Sequence, residues 1–151
     1  MMLLNDLWGI EPHKSFRNAE DSVPYYLIAK PKFEISPEKT AEVSVIPYDE
    51  FKNSYKLNNL ALKDTFDFDK IQGNAVFRSR TEGDKADIHG GTKTLKKLFI
   101  EEKIPAEKRS SVAVAADEEG VLWIEGLGAA RRARLSEKTV NVAVIKIRVE
   151  K

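Results

Sequence analysis

From about residue 23 the apolar and polar positions follow the two-residue period of strands more often than the helical one. Tyr25-Tyr26-Leu27-Ile28 is aromatic and branched and lies between Pro24 and Pro31. Phe33-Glu34-Ile35 is a short extended piece, and Val43 and Val45 alternate with Ser44 and Ile46 before Pro47. Phe51, Tyr55 and Leu57 lead into Asn58-Asn59, a turn signal. Residues 75–80 read as a strand, with Val76, Arg78 and Arg80 on one face and Ala75, Phe77 and Ser79 on the other. Glu82-Gly83-Asp84 then turns the chain. Residues 112–115 and 121–124 form a predicted hairpin around Asp117-Glu118-Glu119-Gly120, whose acids read as a solvated tip. Residues 140–149 are the last predicted strand, with Lys146 and Arg148 alternating against Ile145, Ile147 and Val149.

One helix stands out, after His89-Gly90-Gly91. Thr92 is a candidate cap and Pro105 lies just past the end. At about 100° per residue, Leu95, Leu98 and Phe99 share a stripe and Lys93, Lys96 and Lys97 oppose it. Leu95, Leu98, Phe99 and Trp123 are therefore the expected core, and the three lysines the expected exposed face. Ile100 falls on the basic side, which a plain solvated face does not explain. The first twenty residues have Leu3, Leu4, Leu7 and Trp8 at helical spacing, but Gly9 and Pro12 stop any long helix. Residues 1–21 read as an N-terminal arm or linker remnant.

The chain has 151 residues, 42% hydrophobic and 32% charged, which suits one ordinary domain with or without an arm. It contains no apolar run of the roughly 18 residues that a spanning helix needs, and its start does not read as a signal peptide. Cysteine is absent, so thiolate metal sites and cysteine nucleophiles are excluded, a composition compatible with the cytoplasm. Only His13 and His89 could supply imidazole, which excludes a histidine-rich metal site.

The formal net charge of +1 hides a pattern. Residues 70–109 carry 10 basic and 6 acidic side chains, residues 110–127 carry 4 acids and no base, and residues 128–151 carry 7 bases and 2 acids. A local basic surface is possible beneath the near-neutral total. Gly90-Gly91-Thr92-Lys93-Thr94 misses the phosphate-loop spacing, because Thr92 separates Gly91 from Lys93 and Gly83 lies too far upstream. Two readings of the glycines stay open: backbone N–H groups offered to an anion, or a simple turn into the helix. Neither Ser110-Ser111 nor the carboxylate pairs Asp67/Asp69 and Asp84/Asp87 has a histidine or a metal spacing beside it. The residues alone thus describe a β-rich domain with one basic amphipathic helix and no visible catalytic centre.

The order of motifs from Asp67 to Leu135 carries more. Phe68-Asp69-Lys70-Ile71 precedes Arg78-Ser79-Arg80-Thr81-Glu82-Gly83-Asp84. Then come Gly90-Gly91-Thr92-Lys93-Thr94-Leu95-Lys96-Lys97-Leu98-Phe99-Ile100, Lys103-Ile104-Pro105, Arg109 and Leu122-Trp123-Ile124-Glu125-Gly126. This succession resembles the C-terminal domain of the tRNA(Ile)-lysidine synthase (TilS) family, most specifically over residues 67–135. Two departures stand out: the Lys85-Ala86-Asp87-Ile88-His89 segment is shorter than usual, and Gly128 stands where the family tends to have Arg.

The resemblance implies an α+β fold with a β-sandwich-like core and one prominent amphipathic helix, similar to a domain of the phenylalanyl-tRNA synthetase β subunit. It implies that residues 22–151 are a C-terminal tRNA-binding domain. Enzymes of the family attach lysine to the wobble cytidine of an isoleucine tRNA using ATP, in a PP-loop domain whose motif this sequence lacks. The implied chain binds the tRNA acceptor stem and leaves the chemistry to a PP-loop catalytic domain in the same or another chain. ATP and Mg2+ are expected in that domain and no cofactor in this one, so the chain alone is expected to form no lysidine. The implied RNA-binding residues are Arg78, Arg80, Lys93, Lys96, Lys97 and Arg109, with Arg131, Arg132 and Arg134 as a second cluster. The expected location is the cytoplasm. The alternative is a structural or protein-interaction domain docking on a catalytic partner, to which Ile100 would belong.

Overall fold

The computed structural model describes residues 32–55 and 62–149. The expected arm, the Tyr25-Tyr26-Leu27-Ile28 strand and the Asn58-Asn59 turn lie outside the described residues. In chain order the elements are β1 (Lys32–Ser36), β2 (Lys39–Pro47), α1 (Tyr48–Tyr55), β3 (Thr65–Asp67), β4 (Val76–Arg78), β5 (Lys85–Asp87), β6 (Thr92–Thr94), α2 (Leu95–Glu101), β7 (Val114–Asp117), β8 (Gly120–Ile124), β9 (Gly128–Ala129) and β10 (Asn141–Val149). A first sheet has the order β1-β2-β10-β3 and a second the order β4-β7-β8-β9, both antiparallel throughout. Hairpin β5-β6 stands apart.

The two large sheets share a core. Phe33, Val43, Val45, Phe66 and Ile145 from the first meet Phe77, Ala113, Ala115, Leu122 and Trp123 from the second side. Ring contacts cross it, Phe33 to Phe77 at 5.3 Å between centroids and Phe77 edge-on to Trp123 at 6.1 Å. Trp123 also donates its indole N–H to the Lys63 carbonyl at 2.8 Å, so its one polar atom is satisfied in a side chain with no exposed surface. The opposite face of the second sheet is buried too. There Val114, Ala116, Val121 and Ile124 pack with Ala86 and Ile88 and with Leu95, Leu98 and Phe99 of α2. A middle sheet covered on both faces explains why residues 112–116 and 121–124 are apolar without alternation. The architecture is the expected α+β one, a β-sandwich-like core with an amphipathic helix laid on its outer side.

Three local expectations change. Residues 48–55 are helical, although their apolar spacing suggests only a lead into a turn. Pro47 ends β2, Asp49 and Glu50 suit the positive end of the helix dipole, and Phe51 alone is buried among the side chains described, too few for a clear helical period. The predicted helix begins later than Thr92: Thr92-Lys93-Thr94 is strand β6, paired with Lys85-Ala86-Asp87, and Thr94 is the cap, accepting the Lys97 N–H at 3.2 Å. Gly90 and Gly91, at φ +100° and +93°, therefore close the β5-β6 hairpin rather than open a helix. The hairpin tip of β7-β8 is not simply solvated. The Asp117 side chain has no exposure; it accepts the N–H groups of Gln72, Glu119 and Gly120 and an ion pair from Arg132 at 2.6 Å.

Candidate nucleic-acid interface

Strand β4 ends at Arg78, and residues 79–84 fold back as a turn in which the Asp84 N–H donates to the Thr81 carbonyl at 3.1 Å. Gly83, at φ +92°, takes the turn position that a side chain disfavours. Asp84 then ties three pieces of chain together. Its carboxylate receives both terminal nitrogens of Arg78, at 2.7 and 3.0 Å, and the Thr81 N–H at 2.8 Å. Its carbonyl accepts the Leu95 N–H at the start of α2 at 2.9 Å. Burial pushes the Asp84 carboxyl up, but the hydrogen bonds from Arg78 and Thr81 outweigh it and hold the group below its ordinary value.

Helix α2 ends as it must to reach the next wall. Lys103 adopts φ +58°, its N–H donates to Ile100 and the Ile104 N–H donates back to Phe99, a Schellman closure that uses a lysine in the place usually taken by glycine. Pro105 follows, and residues Ala106–Ser111 form a 3-10 turn. Arg109 donates its Nε–H to the Ile104 carbonyl at 2.9 Å.

Between the 79–84 turn, the start of α2 and this 3-10 turn lies a cleft of about 680 Å³. Arg80, Lys96 and Arg109 line it, with Ser79, Thr81 and Ser110 as neutral polar neighbours and Glu82 and Asp84 as the acids. Among the described residues, none of the three cations makes an ion pair. Arg80 rests over the Phe99 ring at 5.9 Å, which steadies it without neutralising it. Asp84 is already taken by Arg78.

The six sequence-predicted cations therefore separate. Arg80, Lys96 and Arg109 share the cleft; Arg78 stands behind its wall, bound to Asp84. Lys97 is exposed on α2 and outside the cleft lining. Lys93 is half-buried rather than exposed, because it sits on β6 and reaches Glu101 at 2.8 Å. That hydrogen bond holds the Glu101 carboxyl below its ordinary value. The second arginine cluster is also committed internally: Arg131 to Asp87, Arg132 to Asp117, and Arg134 to the carbonyls of Ile88 and Ala129. Sequence reasoning missed Asp84; its signal was an acid following a Gly turn six residues after an arginine.

No group of three or more His, Asp or Glu that could hold a metal ion occurs among the described residues. No helix among them is long and apolar enough to cross a membrane.

The fold is that of a TilS C-terminal domain: a solved one superposes with a TM-score of 0.61 at 21% identity, covering 81% of this chain and 92% of that one. Residues 76–146 match the model of the TilS substrate C-terminal domain. Among relatives, the tRNA(Ile)-lysidine synthase of Clostridioides difficile (strain 630) is 36% identical over 104 residues, 69% of this chain and 22% of that protein. The enzyme of the same name from Clostridium tetani is 40% identical over 88 residues, 57% of this chain and 19% of its own length. Over residues 76–146, just under half of its length, the chain is thus similar to the TilS substrate C-terminal domain family. It spans about a fifth of the length of the curated relatives it matches.

Proposed function

We propose that this chain is the part of a tRNA(Ile)-lysidine synthase that grips the isoleucine tRNA by its acceptor stem, through the cleft lined by Arg80, Lys96 and Arg109. The observation that carries the reading is the convergence of these three cations, free of ion pairs among the described residues, on one cleft. The names of the relatives supply the RNA. An acceptor stem is A-form, and its deep major groove excludes side chains, so binding relies on phosphates, 2′-hydroxyls and shape. Cations on rigid elements, with serine and threonine hydroxyls beside them, suit that task. Lysine activation, with its ATP and Mg2+, belongs to a PP-loop catalytic domain that partners this one, and the reading implies a cytoplasmic protein.

The test is a titration of an isoleucine tRNA transcript, and of a hairpin carrying its acceptor stem alone, across a salt series. Arg80→Gln with Lys96→Gln should weaken both and lower the salt slope by about 1.4–1.8, at roughly 0.7–0.9 per phosphate contact. A folded double variant with unchanged affinity and slope would remove the cleft from RNA binding. The docking alternative would then gain ground, carried by Ile100, which is 52% exposed on α2.

A further inference from the structure

Arg78 and Arg80 sit two residues apart and resemble a matched pair of phosphate ligands. Their surroundings differ. Arg78 is 30% exposed and gives both terminal nitrogens to Asp84, itself 12% exposed, with a further bond to the Ser79 carbonyl at 3.0 Å. Arg80 has no carboxylate partner among the described residues and lines the cleft. We propose that Arg78 and Asp84 form a positioning clamp: Arg78 touches no RNA, and together they hold the 79–84 turn and the start of α2 at the separation that lets Arg80 and Lys96 act on one ligand. The proposal rests on the cleft being the RNA site.

The geometry gives Asp84 three attachments that no other residue of the cleft combines: strand β4 through Arg78, the turn through the N–H and hydroxyl of Thr81, and α2 through its own carbonyl to Leu95. A planar guanidinium meeting a carboxylate through two parallel bonds fixes orientation as well as distance, and an ammonium cannot reproduce this. The third wall is held separately, by Arg109 on the Ile104 carbonyl. Loss of the clamp therefore moves Arg80 relative to Lys96 while Arg109 stays in place.

The clamp makes a prediction of unusual sign. Asp84 is an acid in a cleft for a polyanion, so by charge alone Asp84→Asn should tighten tRNA binding. As a clamp, Asp84→Asn loosens the turn and weakens binding about tenfold, the equivalent of one charge-assisted hydrogen bond. It also lowers the salt slope by about one although no cation has been removed. Arg78→Lys, which keeps the charge, should behave like Asp84→Asn. In the RNA-free protein, both variants should speed hydrogen exchange of the Thr81 amide, well below the melting temperature. Tighter RNA binding by Asp84→Asn, near-wild-type binding by Arg78→Lys, or unchanged Thr81 exchange would each overturn the clamp. Thr81 exchange needs no RNA, so failure of the cleft as the tRNA site shows separately, as Arg80→Gln and Lys96→Gln leaving affinity untouched.

Discussion

Asp117 shows how far a residue's role departs from its type. In the sequence it heads an acidic tip, Asp117-Glu118-Glu119, between two apolar runs. In the fold its carboxylate has no exposure and satisfies three backbone N–H groups and the Arg132 guanidinium. Gln72 lies 45 residues away, and no local pattern could announce that bond. Removing the buried carboxylate takes the partner from three backbone N–H groups and leaves Arg132 without its ion pair. Asp117→Ala should therefore cost about 3 kcal/mol in urea unfolding, whereas Glu119→Ala, on an exposed side chain, should stay within about 0.5 kcal/mol. Equal small losses would show that the acids are interchangeable.

The element most altered by the fold is α2. Its apolar stripe was legible: Leu95, Leu98 and Phe99 are all buried, as their spacing required. Its start was not, because Thr92-Lys93-Thr94 continues the helical spacing of the lysines yet pairs in register with Lys85-Ala86-Asp87. Two threonines two residues apart are equally good caps by composition, and only β5 decides between them. Thr94→Ala should destabilise the protein by roughly 0.5–2 kcal/mol and Thr92→Ala, exposed and without a cap bond, by little. Thermal melts of the two variants side by side would reveal the wrong start if Thr92→Ala proved the costlier.

At the scale of the molecule, the second sheet is the shared wall of two cores. Trp123 anchors the core between the large sheets and Phe99 the core beneath α2, each with no exposed surface. Truncating either to Ala should cost about 3–5 kcal/mol. Because β7 and β8 contribute to both cores, the two variants should lower the midpoint of one common unfolding transition with an unchanged denaturant slope. Two separable transitions in either variant would mean that the helix-side layer folds by itself.

Strands β1, β2, β4, β7, β8 and β10, the turn glycines Gly83 and Gly120, the apolar stripe of α2 and the family's order of motifs could be read in the chain, because each depends on neighbours a few residues away, whereas the short strands β3, β5, β6 and β9 could not. Which cations are free could not. Arg78, Lys93, Arg131 and Arg132 are spent on Asp84, Glu101, Asp87 and Asp117, at sequence distances from six to 44 residues, while Arg80, Lys96 and Arg109 converge without ion pairs among the described residues. Hydrophobic periodicity belongs to one element at a time, whereas charge pairing falls off within a few ångströms in space. Only the packing of β4 to β7, the 79–84 turn, α2 and the 131–133 turn against one another brings those partners together, and so only the tertiary structure separates the cations that hold the fold from those left without an ion pair.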